Sequence, residues 1–248
     1  MIVKNVMQTY KTQKIPKEWK SSPISIKRYL SDWNYVFLTD KDMRRFCKKY
    51  FAWFLPTYDA FPYNIQKVDS IRPMWLYIHG GLYIDLDYEI TDERFEKLFE
   101  KEGDLFLMRS VNNRNYFSNS IMASRPRHPF WIKYLKAMTE KQPSYKTIGK
   151  HFTVMNTTGP LMLTSLVDKY NVKYVDIPTD KVASCDVCET VCDSSKSYTK
   201  QLKGSSWVSA DTKIMTYCMC KGKYVVSFII FLFLIITFAL IFYLSSYN

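Results

Sequence analysis

Residues 224 to 244, YVVSFIIFLFLIITFALIFYL, carry no charged side chain. As a helix rising about 1.5 Å per residue, this run extends roughly 31 Å, enough for a hydrocarbon core of about 30 Å. It also lacks the polar face expected of a helix packed on a soluble core. The sequence therefore predicts one C-terminal transmembrane helix at 224–244, after a juxtamembrane segment at 218–223 and before a short tail at 245–248. Lys221 and Lys223 precede the run, which by the positive-inside tendency places residues 1–217 in the cytosol. The opening MIVKNVMQTYKTQK holds no apolar stretch long enough for a secretion signal. A Golgi or ER lumenal domain is the alternative orientation.

The residues before the anchor are neither disordered nor linker-rich, since the chain is 47% hydrophobic and 17% aromatic with only 7 glycines. A formal charge of +12 points to an anionic partner: nucleic acid, a phosphorylated small molecule or an acidic lipid surface. No compact Arg-rich block or RNA-binding aromatic signature accompanies it, so nucleic acid is not expected. Cys185, Cys188 and Cys192 form a C-x2-C-x3-C run without the paired C-x2-C units of a zinc module. Free thiols, a zinc or disulfide cluster, and lipidation of Cys218 or Cys220 all remain open.

Alternating elements predict an α/β domain. Strands are expected at 2–8, 34–39, through LYIDLDYEI, through DLFLMRS and at VKYVDIP. Helices are expected after Thr39 or Asp40, at 64–79, at 129–140 and at 159–170, and Gly80 and Gly81 end the helix at 64–79. In an extended HGGLYIDLDYE, Tyr83, Asp85, Asp87 and Glu89 share one side of the strand. Two carboxylates roughly 6 to 7 Å apart suit a divalent cation or a hydroxyl-rich ligand. In the preceding helix, Ile65, Val68, Ile71, Trp75 and Leu76 form a stripe that also contains Arg72, with Asp69 at its edge. Three residues apart, Asp69 and Arg72 can pair across a turn, and buried charge of this kind is either a structural pair or a mark of function. Pro73 is expected to disturb the helix there. His79 reads as a helix-end residue, and His128 and His151 show no partner in the sequence.

Six segments, IVKNVMQTYKTQKIPKEW, NYVFLTDKDMRRF, YNIQKVDSIRPMWLYIHGGLYIDLDYE, SNSIMASRPRHPFW, NTTGPLMLT and GSSWVSADTKI, together resemble the glycosyltransferases of family 32, with their DXD-containing sugar-binding region. That family includes inositol-phosphoceramide and outer-chain mannosyltransferases, and has compact versions in large DNA viruses. The resemblance covers residues 1 to about 217. It implies a GT-A fold, Rossmann-like, and a membrane-anchored, metal-dependent transfer with retention of configuration. The donor would be GDP-mannose or a UDP-hexose, the acceptor a glycolipid or glycan, and the cofactor Mn2+ or Mg2+. By similarity, Tyr10 lies by the nucleotide base where the family usually has Trp, and Asp69, Arg72, Gly81 and Asp85 contact the donor. Ser206 and Trp207 close over the diphosphate, and Asp87 holds the metal with Asp85. The family commonly carries His before the SW motif, but TKQLKGSSW offers Lys200 or Gln201, of which only Gln201 can give a metal an oxygen. Met7 also stands where the family usually has His. No catalytic nucleophile is identified.

Two rivals accompany this reading. Aspartyl-phosphate phosphatases also place D-x-D after an apolar strand, but usually continue to Thr or Val where this chain has Glu89. A degenerate transferase that binds nucleotide-sugar without turnover is the non-enzymatic alternative.

Overall fold

A computed structural model describes residues 2–111, 113–141, 149–182, 188, 195–204 and 208–245. The strands are β1 (Asn5–Thr9), β2 (Asn34–Leu38), β3 (Gly81–Ile84), β4 (Tyr88–Ile90), β5 (Leu105–Arg109), β6 (Phe117–Ser124), β7 (Val175–Ile177) and β8 (Thr199–Gln201). The helices are α1 (Ser21–Tyr29), α2 (Asp40–Tyr50), α3 (Leu55–Ala60), α4 (Asn64–His79), α5 (Arg94–Lys97), α6 (Pro129–Lys141), α7 (Lys150–Thr157), α8 (Pro160–Lys169), α9 (Thr179–Val182) and α10 (Ala210–Ser245). Two compact units divide the chain, Met1–Trp207 and Val208–Asn248.

In the first unit, six strands form a mixed sheet in the order β2-β1-β3-β6-β5-β7, and β4 pairs with β8 in a separate ribbon. β1 runs parallel to both β2 and β3, whereas β6 is antiparallel to β3 and β5. The two-residue period of the strands builds two cores, one on each face. Met7, Tyr83, Leu105, Leu107 and Met122 join Met43, Trp75, Trp131 and Leu163 on one side. Val6, Leu82, Ile84, Phe106, Ile121 and Ala123 join Ile26, Leu30 and Phe95 on the other.

Local chemistry sets the junctions that matter for the site. Thr39 and Asp42 form a reciprocal capping box at the start of α2, satisfying backbone N–H groups on both sides of the cap. At the end of α4, Gly80 and Gly81 take φ values of +65° and +95°. A Cβ on Gly81 would stand 2.2 Å from the Asn5 carbonyl oxygen, so glycine is what lets β3 enter the sheet beside β1.

One expected strand divides. LYIDLDYEI is not continuous: β3 ends at Ile84, the Tyr88 N–H reaches back to the Asp85 carbonyl at 3.3 Å, and β4 starts at Tyr88. The two aspartates therefore lie on a turn, not on one face of a strand. α1, α3, α5, α7, α9, β6 and β8 join the elements expected from the sequence.

In the second unit, α10 contains the apolar run 224–244. Many of its side chains lie outside the described residues, and among the described residues no helix is long and apolar enough to cross a membrane. The transmembrane helix expected from the sequence is thus not found in the structure.

Candidate functional site

Parallel strands that feed helices leave their carboxyl ends open, and here a cleft of about 450 Å³ forms at that edge. Thr9 lines it as the last residue of β1, Tyr10 and Lys11 just beyond it, Asp40 after β2, and Asp85, Leu86 and Asp87 after β3. α4 supplies Asn64, Ile65, Val68, Asp69 and Arg72, β6 supplies Asn119, and α7 supplies Lys150, Val154 and Met155.

The floor is a buried charge network centred on Arg72, whose side chain is only 5% exposed. Its Nη1 pairs with Asp69 Oδ1 at 3.1 Å, and its Nη2 donates to Asp85 Oδ1 at 2.9 Å. Nη1 also donates to the Asn119 carbonyl at 2.9 Å, and the guanidinium lies over the Tyr83 ring at 4.7 Å. Tyr83 donates its hydroxyl to the same Asp85 oxygen. Asp69 is held in turn by the Asn119 amide at 3.1 Å and the Thr158 hydroxyl at 2.9 Å. Burial works against the Arg72 cation, but Asp85, Tyr83 and Asp69 outweigh it and hold its pKa above the usual value.

The carboxylates respond differently. Burial raises Asp69 to about 6 against the pull of Arg72 and Thr158. Burial also raises Asp85, again opposed by Arg72 and Tyr83. Asp87 stands at about 7, raised first by burial and then by the charge of Asp85. Its Oδ1 is enclosed and lacks a hydrogen-bond partner among the described residues. Both side-chain bonds of Asp85 fall on Oδ1. An enclosed, unpartnered carboxylate oxygen beside a second carboxylate is a donor set that fits a hard divalent cation. Among the described residues, no cluster of three His, Cys, Asp or Glu side chains is arranged to hold a metal.

The structure brings Tyr10, Asp69, Arg72, Asp85 and Asp87 to one cleft. β4–β8 pairing sets Gln201 opposite Tyr88, where its side chain favours the charged form of Asp87, but it is exposed and is not among the residues that line the cleft. Lys200 is opposite Glu89 and exposed. Gly81 starts β3, at the end of the strand away from Asp85, and does not line the cleft. Met7 is fully buried in the core, so its place in the fold is not that of a cleft ligand. Ser206, Trp207, Cys185 and Cys192 lie outside the described residues, and Cys188 is disulfide-bonded. His128 accepts the Phe130 N–H at 3.4 Å, whereas exposed His79 meets the Phe46, Tyr50 and Trp75 rings.

Sequence reasoning missed Asp40, Asn119, Thr158 and Tyr83. Tyr83 was readable, two residues before Asp85 in the same motif. Asn119 and Thr158 approach Asp69 only through folding, across separations of 50 and 89 residues.

Comparison with known proteins supports the family resemblance. Residues 16–102 match the model of the glycosyltransferase sugar-binding region containing the DXD motif. Inositol phosphoceramide mannosyltransferase 2 of Schizosaccharomyces pombe is 31% identical over 91% of this chain and 64% of its own length. Mannosyl phosphorylinositol ceramide synthase SUR1 of Saccharomyces cerevisiae is 33% identical over 87% of this chain and 54% of its own. The chain thus spans between about half and two thirds of the length of these relatives. An uncharacterized glycosyltransferase, L373, of Acanthamoeba polyphaga mimivirus is 27% identical over 68% of this chain and 66% of its own. The PaToxG glycosyltransferase shares the fold with a TM-score of 0.53, at 18% identity over 68% of this chain and 70% of that one. The glycosyltransferase domain of the YGT toxin does so with a TM-score of 0.51, at 7% identity over 68% of this chain and 78% of that one. The α/β fold with a mixed sheet is therefore a glycosyltransferase fold of the GT-A type.

Proposed function

We propose that this chain is a retaining glycosyltransferase that moves a hexose, mannose by likeness to its relatives, from a nucleotide-sugar to a glycolipid of the phosphoinositol-ceramide kind. The observation that carries the reading is the unpartnered Asp87 Oδ1 beside the Asp69–Arg72–Asp85 network on the floor of the cleft. Asp87 and Asp85 would hold Mn2+ or Mg2+ there, with the Gln201 side-chain oxygen as a further ligand. Such an ion neutralises charge that develops on a departing diphosphate. Arg72 fixes one oxygen of Asp85 and so aims the other at the cleft. Asp69 orients Arg72 and keeps acceptor capacity for a sugar hydroxyl, because an ionised carboxylate has about four acceptor positions. Lys11 and Lys150 stand on the cleft wall, where their charge favours phosphate. Ser206 and Trp207 belong to this reading as the segment that covers the diphosphate.

The uncharged run 224–244 anchors the chain in a membrane in this reading, which suits a lipid acceptor. Lys221 and Lys223 favour a cytosolic first unit. The Cys188 disulfide favours an oxidising compartment, hence the lumen.

The test is to incubate the purified chain with GDP- and UDP-sugars, Mn2+ and phosphoinositol ceramide. Sugar transfer supports the proposal. Donor binding without turnover would instead identify a non-catalytic binding protein, and phosphate release from phosphoesters a phosphatase.

A further inference from the structure

Asp40 has no part in the metal or sugar chemistry described above, yet it borders the same cleft. It is the first residue of α2, one residue after β2 and next to the Thr39 cap. Its Oδ2 accepts the Asn64 side-chain amide at 3.0 Å, which fixes the plane of the carboxylate. Its Oδ1 is enclosed and has no hydrogen-bond partner among the described residues. An acceptor left in this way is costly until a donor reaches it.

Its position along the cleft says what that donor belongs to. β2, β1 and β3 are adjacent in the sheet, so Asp40 lies two strand spacings, about 10 Å, from the Asp85–Asp87 turn. Tyr10 and Lys11 lie between them, after β1. Tyr10 is held edge-on against Trp19, with ring centroids 5.7 Å apart. A diphosphate held at Asp85 and Asp87 would thus extend its nucleoside past an aromatic ring towards Asp40.

We propose that Asp40, oriented by Asn64, reads the pairing edge of the donor's nucleobase and selects bases whose ring nitrogen carries a proton. The proposal rests on the nucleotide-sugar reading above. An ionised carboxylate can only accept hydrogen bonds. Guanine N1–H and uracil N3–H donate to it, and guanine adds the neighbouring exocyclic N–H. Adenine N1 and cytosine N3 turn a lone pair towards the same oxygen and are repelled. Asp40 is half-buried with Oδ1 enclosed, and an enclosed acceptor that its ligand leaves unpaired is a source of discrimination.

The test is calorimetric titration of the full chain, in Mn2+, with GDP, UDP, ADP, CDP and inorganic pyrophosphate. GDP, UDP or both should bind at least tenfold more tightly than ADP and CDP, and the tighter of the two names the donor base. Asp40→Asn can present either a donor or an acceptor. It should weaken GDP and UDP by about tenfold to a hundredfold, the loss of one charge-assisted hydrogen bond, and bring ADP and CDP level with them. Pyrophosphate, which has no base, should bind wild type and variant alike. Asn64→Ala, which removes only the amide that orients Asp40, should give a smaller loss in the same direction. Equal binding of all four nucleotides, or an unchanged preference in a folded Asp40→Asn protein, overturns the assignment. Failure of the wild type to bind any nucleotide or pyrophosphate would instead remove the nucleotide-sugar reading, and this inference with it.

Discussion

At the scale of single residues, Asp87 separates function from stability. Its pKa stands near 7 in the fold against an ordinary 3.8, because burial and Asp85 disfavour the charged form. The folded chain then holds a proton that the unfolded chain releases, so stability falls as pH rises from about 4 to above 7. Asp87→Asn removes that cost. It should stabilise the metal-free protein at pH 8 by about 1–3 kcal/mol and show none of the rise in melting temperature that the proposed function predicts for the wild type with Mn2+ and donor. A variant that melts lower than wild type without metal, or still responds to Mn2+, would count against the assignment. Asp69→Asn should behave in the opposite way, because its carboxylate, though burial raises it to about 6, is met by Arg72, Asn119 and Thr158, whereas Asp87 Oδ1 meets no partner among the described residues. Asp69 is 3% exposed and pairs with Arg72, and breaking a buried pair costs about 3–5 kcal/mol. Arg72 keeps Asp85, so a loss of about 2–4 kcal/mol is expected in thermal unfolding, together with reduced donor turnover. Normal turnover in a folded Asp69→Asn protein would leave the pair a purely structural one.

At the scale of elements, the β4–β8 ribbon decides which residue can complete the site. Only Gln201 carries a side-chain oxygen, and pairing adds that Gln201 lies opposite Tyr88 and interacts with Asp87 whereas Lys200 lies opposite Glu89, both side chains being exposed. Gln201→His should therefore tighten Mn2+ binding about tenfold, since a neutral imidazole nitrogen is a stronger donor than an amide oxygen, and Lys200→His should leave it unchanged. A competition titration of Mn2+ against a chelator compares the two. A gain in the Lys200 variant alone would assign the place beside Asp87 to Lys200 and overturn the assignment of Gln201. The same ribbon shows where sequence reading stops. α2 and α4 were legible because the Thr39 cap, the apolar stripe and the paired glycines are local signals. The division of LYIDLDYEI was not, because Asp85-Leu86-Asp87 keeps the apolar–polar alternation of a strand while its backbone turns. The Asp69–Arg72 pair was legible from helical spacing, but its link to Asp85 depends on where α4 lies against β3. β8 was hidden because three residues take a strand only from the partner that β4 offers.

At the scale of the whole molecule, the first unit, with its proposed donor cleft, is followed in the chain by a run with no charge, and the proposed lipid acceptor would suit both. An uncharged 21-residue run at 224–244 should keep the full chain in the membrane fraction through alkaline carbonate extraction. Ile229→Lys with Leu234→Lys should release it, since a lysine at the centre of a span costs about 2.5–3.5 kcal/mol. Retention of that double variant would mean that the first unit holds the membrane by itself. Orientation is read at Asn156, which begins the sequon Asn156-Thr157-Thr158. Asn156 is half-buried near the end of α7, next to Met155 on the cleft wall, and its amide donates to the Phe152 carbonyl at 2.9 Å. Thr158 holds Asp69, so the sequon must be removed at Asn156 and not at Thr158, which would disturb the Asp69–Arg72 pair. If Lys221 and Lys223 set the orientation, the chain expressed in a eukaryotic cell should run at the same mass before and after endoglycosidase treatment. A mass shift that Asn156→Gln abolishes would place the first unit in the lumen, where the Cys188 disulfide would persist, and would overturn the cytosolic assignment.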